Sequence, residues 1–182
     1  MEFIEIYPPY IYSVKYEGND ENEFDRLFNE WNDMELVMDF LMQNKEYLNS
    51  QIWNAVKEPE MAARQVLDEA EKLEDLFEIL ENNTKRDNKP DYDSFFKCLD
   101  GKYQYELEYI PMKLYGSNRP SLLRMYAIKL EDNVYIITGG GIKLSRTIQE
   151  SPGINKNIIH NIDMVRAWLK KNGILTTDDL LI

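Results

Sequence analysis

Three cations in the last third of the chain, Arg124, Lys143 and Arg146, are the residues best suited to chemistry. A guanidinium grips phosphate through parallel N–H donors, and an ammonium acts as a point charge. Clustered, they can hold an RNA backbone or stabilise a phosphorane-like transition state. They belong to the run LLRMYAIKLEDNVYIITGGGIKLSRTIQESP, residues 122–152. Two apolar segments, 123–130 and 134–138, flank the acidic turn Glu131-Asp132-Asn133 and predict a β-hairpin. Arg124 starts the first segment, whereas Lys143 and Arg146 follow the second. Antiparallel pairing returns the end of the second strand to the start of the first, so all three cations are expected at one end of a sheet. The intervening Gly139-Gly140-Gly141 matches neither GxxxxGK[ST] nor a GxGxxG opening a helix. It predicts a bulge or close packing rather than a phosphate loop.

Other reactive residues suggest less. His160 is the sole histidine and falls among Ile158, Ile159 and Ile162 of an expected helix, which reads as structural or solvent-facing. One histidine and one cysteine, Cys98, do not make a usual structural zinc site. The carboxylates of residues 68–81 have helical spacing and read as a solvated face. With no hydrolase, zinc-protease or EF-hand motif present, neither metal nor cofactor is expected.

The elements that must position the cations read as α+β. Phe3 to Tyr16 is extended, with Pro8-Pro9 bending it or placing it at a sheet edge. A turn over 17–20 offers Asn19 or Asp20 as a helix cap. Phe24, Leu27, Phe28 and Trp31, then Leu36, Val37, Phe40 and Leu41, predict two helices broken near Asn32-Asp33. Pro59 suits the first turn of a third helix running to about Asn82. Its apolar side carries Met61, Val66, Leu67, Ala70, Leu73, Phe77 and Leu80, and acidic residues, Glu69 among them, crowd the rest. Residues 85–90 read as a linker, and 92–99 as a short helical turn. Tyr103, Tyr105, Leu107 and Tyr109 alternate with polar residues and predict a strand that Pro111 bends or demotes. A loop over 116–120 and a last helix from Asn155 or Lys156, stopped by Gly173, complete the series.

Composition bounds the function. Hydrophobic content of 43% suits a folded chain, expected as a single α+β domain over 1–182. No apolar run reaches the 18 or so residues of a membrane span, and neither signal peptide nor membrane partner is expected. One cysteine suits a reducing, cytoplasmic setting. The net charge of −12 argues against uniform nucleic-acid binding, but it is unevenly spread. Residues 1–101 hold 10 basic and 25 acidic residues, net −15, and residues 102–182 hold 11 and 8, net +3.

Residues 103–152 resemble the strand region of the RelE/ParE/HigB toxin superfamily. Tyr105-Glu106-Leu107-Glu108 is similar to that family's first strand motif, and Leu123-Arg124-Met125-Tyr126 to its arginine-led second strand. Ile142 to Thr147, followed by Ser151-Pro152, is similar to its lysine-rich stretch ending near a proline, with Leu144 at the second lysine. The resemblance implies a RelE-like antiparallel sheet with flanking helices and makes residues 50–100 an inserted acidic helical segment. It implies a type II toxin that pairs with a cognate antitoxin and cleaves ribosome-associated mRNA without metal. Arg124 would then stabilise the phosphate, Lys143 neutralise charge or exchange a proton, Arg146 add a phosphate contact, and Tyr126 stack or transfer a proton. The alternative is a non-catalytic protein-interaction module on the same fold.

Overall fold

The computed structural model describes residues 1–84, 90–103, 105–154 and 157–180. Strands β1 (Glu2–Tyr7) and β2 (Ile11–Lys15) form a hairpin through a cis Pro8-Pro9 bond. Helices α1 (Glu23–Asn32) and α2 (Met34–Gln43) follow, broken where Asp33 caps the second with its side chain. The cap of α1 is Asn22 rather than Asn19 or Asp20, because the Asn22 side chain accepts from Asp25 N. After a short α3 (Lys45–Leu48) and a 3-10 turn over 51–53, Pro59 opens α4 (Pro59–Thr84). The expected linker lies mostly at 85–89, outside the described residues. Strands β3 (Lys97–Cys98), β4 (Ile110–Tyr115), β5 (Leu123–Glu131) and β6 (Val134–Ile142) come next. Helices α5 (Ile158–Asn172) and α6 (Thr177–Leu180) end the described chain, with Gly173 left-handed at the stop of α5.

These strands form one sheet in the order β1-β2-β6-β5-β4-β3. The antiparallel expectation needs correction: β2 runs parallel to β6, so the sheet is mixed. Parallel neighbours require a long crossover. Here residues 16–133, with four α-helices and three strands among the described residues, separate the two.

Each sheet face is covered. Leu123, Met125, Ala127, Tyr135 and Ile137 pack with α1, α2 and α4 in one core. Tyr126, Ile128, Ile136 and Val14 pack with Ile158, Ile162, Val165 and Leu169 of α5 in the other. Helix α4 shares the first core through Ala62, Ala63, Val66, Ala70, Leu73, Phe77 and Leu80. Met61, expected on that stripe, is exposed, and the two alanines take the buried side.

A second correction concerns residues 103–109. Those described, 103 and 105–109, are not a strand: a 3-10 turn covers 101–103, and β4 starts at Ile110. Alternation predicts a strand only when one face has a surface to cover. Here Tyr103 and Tyr109 are buried, whereas Tyr105 and Leu107 are 84% and 95% exposed. Arg166 takes the Tyr109 carbonyl and the Glu106 carboxylate, holding the segment to α5. Pro111 remains inside β4, opposite Ile128.

Candidate anion-binding cleft

Pairing of Arg124 with Gly141, and of Leu123 with Ile142, brings the end of β6 to the start of β5. Lys143 N then donates to Leu122 O at 2.7 Å. The expected convergence is present: Arg124, Lys143 and Arg146 line one cleft of about 680 Å³ at this end of the sheet. Lys72, Lys97 and Arg119 line it too, and no carboxylate does so among the described residues. Apolar side chains, Ile52, Trp53, Leu73, Leu76 and Phe95, share the lining with the cations.

The cations are held by specific contacts. The Arg124 guanidinium lies 4.0 Å from the ring centroid of Tyr115, its partner across β4 and β5. Its Nη1 donates to Ser121 O, Ser121 Oγ and Leu123 O. Burial lowers its pKa, yet a guanidinium stays charged at neutral pH. Lys143 Nζ donates to the carbonyls of Ser145 and Arg146. Burial, followed by repulsion from Arg124 and Lys113, pushes its ammonium down to about 8. Arg146 is exposed at the rim, without an ion-pair partner among the described residues.

The loop bearing Lys143 and Arg146 is anchored from below. Leu144 is 1% exposed; its N–H donates to Ser151 Oγ, and its carbonyl accepts from Trp53 Nε1 at 2.8 Å. A buried leucine between two cations therefore holds the backbone that presents them. The glycine run serves the same end. Thr138 is the extra residue of a bulge opposite Tyr126 and Ala127. Gly141 has φ +156, and a Cβ there would lie 2.0 Å from Gly153 O. The glycines thus let the returning chain pair with β6 at Ile154.

Tyr126 does not join the cleft. It is fully buried in the α5-side core, and its hydroxyl has no hydrogen-bond partner among the described residues. Burial raises its pKa, so it stays a neutral phenol. His160 is exposed on α5. No grouping of His, Cys, Asp or Glu suited to a metal occurs among the described residues, and none of their helices is long and apolar enough to cross a membrane.

Sequence reasoning missed Glu69. It is 0% exposed, unlike the solvated Glu71, Asp75 and Glu78 of the same helix. Its spacing of three from Val66 and four from Leu73 was the available signal, since it puts the carboxylate beside the apolar stripe. Trp53 was likewise missed, as it lies in no periodic segment. Compared with protein families, curated proteins and solved structures, the chain matches no family model, no curated relative and no solved structure.

Proposed function

We propose that the cleft binds the phosphate backbone of RNA and that the protein is a toxin-like, metal-independent endoribonuclease of a type II toxin–antitoxin pair. One observation carries this reading: among the described residues six cations and no carboxylate line a concavity in a chain of net charge −12, and of the six Lys72 is ion-paired, with Asp68. A chain so acidic gains nothing in solubility from gathering its cations, whereas a polyanion gains affinity from them. The apolar part of the lining, with the half-exposed Phe95, gives an unpaired base a surface to lie against.

For cleavage, the ribose 2′-hydroxyl loses its proton and attacks the adjacent phosphorus. The phosphorane collapses with rupture of the P–O5′ bond to a 2′,3′-cyclic phosphate. The departing 5′-oxygen takes up a proton, so that no proton is consumed overall. Lys143, titrating near 8, is the lining group suited to proton exchange at neutral pH. Arg124, fixed by Tyr115 and the Ser121 turn, suits the phosphorane oxygens. The test is incubation of a labelled single-stranded RNA with wild type and with Arg124→Ala/Lys143→Ala. Cleavage that the double variant loses, at a rate rising as pH approaches 8, supports the reading. Intact RNA with no measurable binding by wild type ends it.

A second reading is favoured by the carbonyl contacts that already occupy donors of Arg124 and Lys143. The cleft then binds an acidic segment of a partner protein without catalysis. Binding of RNA and of an acidic peptide with equal affinity, and no cleavage, would select it.

A further inference from the structure

Beneath the cation row lies a carboxylate that never reaches the cleft surface. Glu69, from the middle of α4, is fully buried and accepts four hydrogen bonds. Leu123 N donates to it at 2.9 Å, Leu122 N at 3.2 Å, Ser121 Oγ at 2.9 Å and Gln65 Nε2 at 2.7 Å. Three of these donors belong to the turn that opens β5. The Ser121 hydroxyl also accepts from Arg124 Nη1 at 3.0 Å, so it bridges the carboxylate and the guanidinium. Gly116 completes the arrangement, since a Cβ there would lie 2.0 Å from Glu69 Oε2. Burying a carboxylate is costly unless donors surround it. A solvent-facing glutamate elsewhere on this acidic helix would avoid that cost, and packing alone would favour an apolar side chain at this position.

We propose that Glu69 is the positioning residue of the cleft. It fixes the Ser121–Leu123 turn and, through the Ser121 hydroxyl, sets the angle at which the Arg124 guanidinium meets a phosphate. The proposal rests on the phosphate-binding reading for its ligand but not for its geometry. Glu69 itself touches no ligand. Its charge offsets that of Arg124 from behind without placing a carboxylate in the cleft lining.

The test combines binding with a measurement that needs no ligand. Affinity for a labelled single-stranded RNA oligonucleotide is measured for wild type, Glu69→Gln, Ser121→Ala and Arg124→Ala, and for each of the first two substitutions combined with Arg124→Ala. A charged hydrogen bond held in register gives an expected loss of about ten-fold for Glu69→Gln and somewhat less for Ser121→Ala. Neither should add to the loss in the Arg124→Ala background, because the residue they orient is gone. Equal losses in both backgrounds would reduce Glu69 to general support of the fold and overturn the proposal. In parallel, ¹⁵N-arginine NMR follows the Arg124 guanidinium. Restrained rotation in wild type that becomes free in Glu69→Gln or Ser121→Ala supports the proposal, and an unchanged signal in both overturns it. Should wild type bind no RNA, the phosphate reading falls by itself, and the NMR result still decides the role of Glu69. If Glu69→Gln fails to fold, Ser121→Ala carries both measurements.

Discussion

The two ends of the β5–β6 hairpin each carry a polar cluster, built to opposite rules. At the tip, the Asp93 carboxylate accepts from three donors: Lys129 Nζ at 2.9 Å, Asn133 N at 3.2 Å and the Tyr135 hydroxyl. Asn133 returns the bond by accepting from Asp93 N. At the open end, Arg124, Lys143 and Arg146 face a cleft with no lining carboxylate among the described residues. The tip cluster closes on itself and pins residues 91–95 to the hairpin. The other gathers cations without a lining carboxylate among the described residues, which is the feature that the phosphate-binding proposal uses. Charge balance, more than the number of charges, separates a fastening from a binding site.

The largest effect expected from this contrast is on binding. Arg124→Ala/Lys143→Ala should weaken single-stranded RNA by more than about 100-fold, two charged contacts being lost. The urea midpoint should move less than for Asp93→Ala, because Glu69 keeps its own four donors when Arg124 is removed. Asp93→Ala should do the reverse. It strands the Tyr135 hydroxyl and leaves Lys129 with only the longer Asp132 contact, and should cost about 1–3 kcal/mol in urea unfolding, with RNA affinity unchanged. If both variants change both quantities, the division between fastening and site is wrong.

How far this was readable from sequence depends on the range of the interactions. The hairpin, the helix break at Asp33 and the convergence of the three cations followed from local period and strand pairing. Tyr126 lies two residues beyond Arg124 on the same strand, but the sequence does not say which face α5 will cover, and Tyr126 is buried beneath it. The strand expected from Tyr103 to Tyr109 had good local alternation, but Tyr105 and Leu107 have no surface to pack on. The parallel β2–β6 pair joins residues more than a hundred positions apart, beyond any local pattern. Glu69 sat in view in an acidic run. Its role depends on the turn at Ser121, fifty-two positions away.

The two ends should also respond differently to pH. Lys143 titrates near 8 because burial and Arg124 oppose its charge. A bound phosphate favours that charge and raises the pKa in the complex. Binding therefore takes up protons, and affinity falls as pH rises through 8. Calorimetry near pH 8 in buffers of different ionisation enthalpy should show the uptake, and Lys143→Arg should remove it. At the tip, burial raises the Asp93 pKa, but Tyr135, Lys129 and Asn133 outweigh it and hold the carboxyl below its ordinary value. Its contribution to stability is full above the unfolded pKa of about 4 and is lost as pH falls through the lower folded value. Acid unfolding of Asp93→Asn should lack that component, while its RNA affinity keeps the dependence near pH 8.

The smallest effect is the finest test of the contrast. Arg146 sits exposed at the rim, and a screened contact there should contribute only a few-fold to affinity. Its signature is salt dependence. Each single-strand phosphate neutralised adds about 0.7 to the slope of log affinity against log salt. Arg146→Ala should therefore lower the slope by about that amount at any salt concentration. Lys129→Ala removes an equal charge from the same hairpin, but one already paired with Asp93 and with Asp132 at 3.5 Å. It should leave the slope unchanged. Equal slope changes would mean that RNA senses only the overall charge of the hairpin. A change confined to Arg146 would place the phosphate track at the open end, with the unpaired cations.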